Sequence, residues 1–309
     1  MATEQDEGRD GLMVDTAAPS TGATPVRSGA PLTVKKDRGR FFVLRLIAAI
    51  VLTLIMLFPL IWMVITALSP QADLYQPGFH LWPRHFTLRN FTEPIDAFPV
   101  WRWAANSALI TVAVTAITVV CNLLAGYAFA KMPFRGRNVL FLVLLATLMV
   151  PVQAIMVPQF ELSIDLKLYG HIWAVILPES ATVFGIFLAR QFFLSVPDDL
   201  IDAARVDGAG QLRTFWSVVL PLCKPLIAVL VLLTSMYEWN AFAWPLVALF
   251  GDDKKFTLPL GIVTDLQNQY TTNYGALMAM TLLSIAPMII LFVAFQRYFV
   301  QGFARTGLQ

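Results

Sequence analysis

Pro197-Asp-Asp-Leu-Ile-Asp-Ala-Ala-Arg-Val-Asp-Gly208, continuing through Ala209-Gly-Gln-Leu-Arg-Thr-Phe-Trp-Ser-Val-Val-Leu-Pro221, is the longest charged interruption between the later apolar runs of this chain. Pro197 and Asp198 form a helix start signal. The acidic residues at 198, 199 and 202 lie in the first turns, where the helix dipole favours negative charge. Gly208 supplies a stop, because glycine readily enters the left-handed conformation that ends helices. The stretch reads as a short, capped helix in water, bounded on both sides by segments apolar enough for a membrane.

The surrounding composition sets the fold class. Of 309 residues, 57% are hydrophobic and only 14% charged, with a mean hydropathy of +0.67. A soluble domain carries about 25% charged residues. The chain is therefore expected to be an all-α, polytopic membrane protein. A helix needs about 20 apolar residues to cross the hydrocarbon core. Six segments meet this: Phe41 to Leu68, Ala104 to Ala130, Val139 to Val157, Ile172 to Leu194, Leu222 to Val247 and Tyr274 to Phe295. Internal prolines are tolerated where neighbouring helices satisfy the freed carbonyls.

Charge placement sets the orientation. With the amino terminus inside, Arg84, Arg89, Arg102, Lys167, Lys254 and Lys255 fall outside, and the remaining 16 of the 22 basic residues fall inside. Lys and Arg concentrate on the cytoplasmic side. Both termini are thus expected in the cytoplasm, and so is the stretch 197–221. Residues 1–40 read as a disordered cytoplasmic tail that ends in the basic cluster Lys35-Lys-Asp-Arg-Gly-Arg40. A cleaved signal peptide fits poorly, since the apolar run from Phe41 lacks a small-residue cleavage site at its end. The loop between the first two spans carries Trp82, Trp101 and Trp103, of the kind that anchor at the membrane interface.

Several chemistries find no support. Two cysteines, Cys121 and Cys223, imply no disulfide framework, and three scattered histidines suggest no metal site. No Gly-x-x-x-x-Gly-Lys-Ser/Thr pattern occurs, so energy for pumping would have to come from another polypeptide. Without His-Glu-x-x-His, Gly-x-Ser-x-Gly or a mid-span histidine, no catalytic residue is expected. No nucleic-acid partner is expected either.

The stretch 202–221 resembles the EAA loop of binding-protein-dependent ABC importer permeases. The family pattern is Glu-Ala-Ala, three residues, Gly, nine residues, Ile, one residue, Leu-Pro. It is met here in spacing by Asp202-Ala203-Ala204, Gly208, Val218 and Leu220-Pro221. Asp202 replaces Glu and Val218 replaces Ile. Asn106-Ser-Ala-Leu109, the run Ala125 to Gly136, Trp239-Asn-Ala-Phe-Ala-Trp-Pro-Leu246 and Gln296-Arg-Tyr-Phe-Val-Gln-Gly302 are similar to the sugar-importer, maltose-type branch. The resemblance covers residues 41–309, with its core at about 102–298.

That resemblance implies a type I importer permease with six spans in the bacterial cell membrane. It would carry a sugar, a di- or oligosaccharide. It implies coupling to ATPase subunits through the helix 198–212, by way of Asp202, Ala203, Ala204, Gly208, Val218, Leu220 and Pro221. It also implies a second homologous permease, two ATPase subunits that use ATP and Mg, and an extracellular solute-binding protein, with no cofactor held by this chain. On the helix itself, Ile201, Ala204, Arg205 and Gly208 share one face, and small Ala203, Ala204 and Gly208 allow close approach by a partner.

Polar residues inside the spans are candidates for the translocation path. Glu238 and Asn240 either meet hydroxyl-rich substrate or cap a broken helix before Pro245. Asn122 and Gln153 either line a polar path or join two helices. Thr111, Thr115 and Thr118 form a one-face stripe of the helix-packing kind. Competing readings are a permease for another small solute such as a polyol or glycerol phosphate, a secondary transporter, and an intramembrane enzyme. Trp239-Asn240 argues against an amino-acid or peptide permease.

Overall fold

The computed structural model describes residues 38–76, 82–267 and 273–306, so most of the predicted tail lies outside the described residues. Among the described residues every regular element is helical. In chain order these are α1 (Arg38–Ala67), α2 (Gln71–Leu74), α3 (Arg89–Ala97), α4 (Val100–Lys131), α5 (Arg137–Ala146), α6 (Val152–Asp165), α7 (Trp173–Ile176) and α8 (Val183–Leu194). They continue as α9 (Asp198–Val206), α10 (Gln211–Thr214), α11 (Leu220–Leu222), α12 (Lys224–Trp239), α13 (Ala243–Ala248), α14 (Leu258–Leu266) and α15 (Tyr274–Thr306). Short 3₁₀ turns at Thr147–Met149 and Asp253–Lys255 and a π turn at Phe215–Val219 complete the set.

The described residues divide into two units, with the boundary between Leu54 and Ile55. The described part of the first is the apolar beginning of α1, whose side chains from Phe41 to Leu54 are exposed. The second unit is organised on α4. At 32 residues it is about 48 Å long, and it packs along α8 and α12. Glycine permits the close approach to α8: a Cβ on Gly126 would meet the Cβ of Ala189 at 2.5 Å. A Cβ on Gly185 of α8 would collide with the Asn122 amide.

Two apolar clusters lie along α4. Ile110 and Val114 join Trp103, Trp239, Trp244, Leu260 and Met280. Val119, Leu123 and Tyr127 join Phe193, Ile201, Phe215, Val219 and Leu226. A polar layer separates them. Thr115 Oγ1 lies 3.1 Å from Ser235 Oγ, Thr118 Oγ1 donates to the Glu179 carbonyl at 2.9 Å, and Asn122 Nδ2 donates to Thr182 Oγ1 at 3.0 Å. Thr115 and Thr118 of the threonine stripe thus serve helix packing, with partners on α12 and in the break between α7 and α8.

The spans are less regular than the hydropathy suggests. Residues 41–67 of α1, α4, and residues 274–296 of α15 are long and apolar enough to cross a membrane alone. The expected third span breaks before Pro151, where 137–149 and 152–165 meet at 100°. Proline lacks the amide that would continue the ladder. The expected fourth span is divided: α7 ends at Ile176, Pro178 follows, and α8 begins only at Val183 with 12 residues. The expected fifth span ends at Trp239 rather than Val247, and α13 restarts at Ala243. Trp103 also departs from expectation. It is fully buried, and its indole donates to the Asp253 carbonyl at 2.9 Å, whereas Trp82 and Trp101 are exposed as interface anchors would be.

Candidate functional site

The charged stretch folds as its signals dictate, but over a shorter length than 198–212. Helix α9 covers Asp198–Val206 after Pro197, with Asp198 and Asp199 in its first turn. Asp207 caps it and Gly208 stands at φ +78°. The Ala209 amide donates to the Ala204 carbonyl and the Gly208 amide to the Arg205 carbonyl, both at 2.9 Å. This pair of bonds defines the Schellman ending. The chain turns at Gly210 and resumes as α10, so the helix does not continue to 212. No atom lies within 4 Å of a Cβ built on Gly208. Glycine is required there by backbone conformation rather than by space.

Segment 211–222 then meets α12 at 81°. The π turn Phe215–Val219 sits just before Pro221. Pro221 has no amide to donate to the Ser217 carbonyl, which interrupts the α ladder at that point. Phe215 packs against Tyr127 and Phe193, with ring centroids 5.1 and 6.4 Å away. The loop is thereby seated on the end of α4 and on α8.

A single basic side chain fastens the start of α9. Lys131, the last residue of α4, donates from Nζ to Asp198 Oδ1 at 2.6 Å and to the Val196 carbonyl at 2.7 Å. The Lys131 hydrogen bond, and then its charge, hold the Asp198 carboxyl below the usual carboxylate range. Arg205 pairs with Asp202 at 3.0 Å, an exposed contact that leaves Asp207 to its capping position.

The face that the spacing assigns to a partner is only partly free. Ile201 is buried in the chain's own core beside Phe193, Phe215 and Val219, and Ala204 is buried too. Of the other motif residues, Asp202, Ala203, Gly208 and Pro221 are exposed, and Val218 and Leu220 are half-buried. The large exposed apolar side chains of the stretch are Leu200, Val206, Leu212 and Trp216; Val206 is 89% exposed. The reading from sequence missed Leu200 and Val206. Their signal was the spacing 200, 203, 206, a stripe offset by one residue from the buried Ile201 and Ala204.

The four candidate path residues are dispersed. Asn122 is fully buried, and its amide both donates to Thr182 Oγ1 and accepts from the Thr182 amide. It joins α4 to α8 rather than presenting a free group. Asn240 caps α12, donating to the Met236 carbonyl at 2.7 Å. Gln153 is exposed at the start of α6, beside the bend. Glu238 is buried, and its Oε2 has no hydrogen-bond partner.

Residues 122–305 match the family described as binding-protein-dependent transport system inner membrane component. The chain is 38% identical over 258 residues to the arabinooligosaccharides transport system permease protein AraQ of Halalkalibacterium halodurans, covering 82% of this chain and 92% of that protein. It is 32% identical over 263 residues to the sn-glycerol-3-phosphate transport system permease protein UgpE of Yersinia pestis bv. Antiqua, covering 83% and 93%. A solved bacterial ABC transporter involved in the import of the acidic polysaccharide alginate matches with a TM-score of 0.75 and 25% identity, over 86% of this chain and 98% of that one.

Proposed function

We propose that this chain, which belongs to the family of binding-protein-dependent transport system inner membrane components, is a permease subunit of an ATP-driven importer that carries a sugar, a di- or oligosaccharide, across the bacterial cell membrane. Both termini lie in the cytoplasm in this reading, as the distribution of basic residues favours. A second homologous permease, two ATPase subunits and an extracellular solute-binding protein complete the machine. ATP and Mg belong to the ATPase subunits, and this chain itself hydrolyses nothing.

The observation that carries the reading is the capped helix α9, seated on the end of α4 through Lys131 while Leu200, Ala203 and Val206 are presented outward. An ATPase cleft that grips this exposed stripe displaces α9 as its dimer closes. The displacement passes through Asp198 to Lys131 and through Ile201 and Phe215 to the apolar cluster around Tyr127. Close packing transmits such a shift, because the cluster has few voids to absorb it. Helix α4 then changes its position against α8 and α12. Asp202 takes the place of the usual Glu of the motif and is held by Arg205.

The sugar class is supported by AraQ, named for arabinooligosaccharide transport, and by the alginate importer. UgpE, named for sn-glycerol-3-phosphate, supports a second reading in which the solute is a small phosphorylated polyol. Uptake of a labelled panel in a deletion strain, with and without this chain, decides between them. Sugar uptake restored by the chain supports the proposal. Restoration of glycerol phosphate uptake alone overturns the sugar assignment. ATP hydrolysis by the purified chain overturns the division of labour.

A further inference from the structure

Among the described residues several buried polar atoms have no hydrogen-bond partner, and two of them fall in one layer. Glu238 is 5% exposed with Oε2 unpartnered, and Thr111 is 5% exposed with Oγ1 unpartnered. Helix α12 runs antiparallel to α4, since Leu226 shares one cluster with Leu123 while Trp239 shares the other with Ile110. Thr115 and Ser235 meet at the crossing. Thr111 lies one turn before Thr115 on α4, and Glu238 lies three residues beyond Ser235 on α12, so both stand on the same side of that contact. Native structures pair almost all such groups, so each orphan calls for a ligand or a function.

A second carboxylate faces this layer. Glu179 lies in the break between α7 and α8, held there by the Thr118 bond to its carbonyl. Its side chain is half-buried and within electrostatic range of both Glu238 and Tyr237. Tyr237 is 55% exposed. Exposed Tyr237 and half-buried Glu179 bring the cluster to the edge of this chain. Irregular backbone at membrane depth persists where protein buries it or where it lines a cavity.

The cluster holds no cation. Among the described residues neither carboxylate forms an ion pair. Helix α4 carries no Lys or Arg between Arg102 and Lys131, and α12 carries none after Lys224. Arg190 of α8 is engaged elsewhere: its guanidinium lies 4.2 Å from the Phe141 ring centroid and its Nε donates to the Phe129 carbonyl.

We infer that Glu179 and Glu238 form a carboxylate pair on the translocation path that accepts hydroxyl groups of a neutral carbohydrate and repels a solute carrying a carboxylate or phosphate. The inference rests on the importer reading above. Two carboxyl groups within electrostatic range of each other and without a base beside them hold one proton between them, so the pair carries a single negative charge and offers several acceptors and one donor to a ring bearing many hydroxyls. Exposed Tyr237 adds an aromatic face beside the pair. A second negative charge brought to a carboxylate that no base neutralises is repelled, and more strongly away from water. The pair therefore favours neutral oligosaccharides over sugar phosphates and sugar acids.

The test uses the whole transporter in liposomes: this chain, its partner permease, the ATPase subunits and the binding protein. The probes are a panel of neutral oligosaccharides, arabinotriose among them, each reduced to its alditol and paired with its aldonate, so that both members have an open-chain end and differ by the carboxylate. Import is divided by the binding protein's measured occupancy for each probe. Wild type is expected to import the neutral form about tenfold faster or more, a difference of about 1.4 kcal/mol. The Glu179→Gln/Glu238→Gln double variant is expected to narrow that ratio about fivefold by gaining on the aldonate, while Glu238→Asp retains it. If the double variant fails to assemble, judged by ATPase stimulation, Glu179→Gln alone is expected to narrow the ratio, since its carboxyl group makes no bond among the described residues. An unchanged ratio in the Gln variants, or equal import of both forms by wild type, overturns the inference and leaves the importer reading intact. Import of no sugar in the panel overturns the importer reading and the inference together.

Discussion

Lys131 Nζ stands 2.6 Å from Asp198 Oδ1, joining the last residue of α4 to the first residue of α9. The lysine side chain is only 7% exposed, whereas the aspartate is 76% exposed. Each partner also sits where a helix dipole favours it: the cation at the carboxyl end of α4, the anion at the amino end of α9. Lys131→Met keeps the aliphatic stem and removes the bond. It is expected to lower sugar uptake several-fold at unchanged membrane insertion, with ATP hydrolysis less dependent on the binding protein. Parallel uptake and ATPase measurements check this; normal coupling in Lys131→Met would show that the clasp transmits nothing.

The same contact has a defined pH dependence. Lys131 depresses the Asp198 pKa, so the clasp is present above the ordinary carboxylate value and is lost as pH falls through the lower folded value. No change is expected between pH 8 and pH 5. The ratio of uptake by wild type to uptake by Asp198→Asn should therefore stay flat over that window. A ratio that declines between pH 7 and pH 5 would assign the titration to a different group.

Gly208 separates backbone strain from partner contact. Its φ of +78° costs a non-glycine residue about 1–2 kcal/mol, and a Cβ there meets nothing. Gly208→Ala is expected to leave the protein inserted and partly active. Gly208→Glu adds a bulky charge beside the exposed stripe and is expected to abolish transport. Equal uptake by the two variants would remove Gly208 from the docking surface.

The two faces of α9 predict opposite outcomes. Val206 is almost fully exposed, so Val206→Asp should leave the melting temperature of the detergent-purified chain within about 1 °C while uncoupling transport. Ile201 is 3% exposed in the core, so Ile201→Asp places an unpaired charge there and should destabilise the fold by about 3 kcal/mol or more. Thermal unfolding and uptake of both variants check the assignment, which a reversed pattern would refute.

Gly126 tests the α4–α8 approach. A Cβ there meets Ala189 Cβ at 2.5 Å and the Arg190 amide nitrogen at 2.9 Å, and both belong to the facing helix. Gly126→Leu is expected to lower stability by about 1–3 kcal/mol, whereas Gly210→Leu, where space is open, should not. Equal melting temperatures for the two variants would mean that the helices separate freely.

Sequence alone determined the all-helical membrane class, the start of α9 at Pro197 and its stop at Gly208. These depend on local chemistry: apolar content against water, a proline without an amide, a glycine free of a Cβ. The motif spacing from Asp202 to Pro221 pointed to the family for the same reason, since fixed offsets along one chain need no knowledge of what packs against them. Tertiary structure decided the rest. Asn122 and Glu238 look alike as polar residues in apolar runs, yet Asn122 is satisfied by Thr182 while Glu238 keeps an unpaired oxygen, and that depends on which helix lies opposite. Ile201 and Val206 are both apolar on one short helix, and only the position of Phe193 and Phe215 sends one into the core and leaves the other outside. The division of the fourth and fifth spans is likewise a tertiary outcome. A proline permits a break, and whether the freed backbone can be satisfied there is decided by neighbours distant in sequence, such as Thr118 against Glu179.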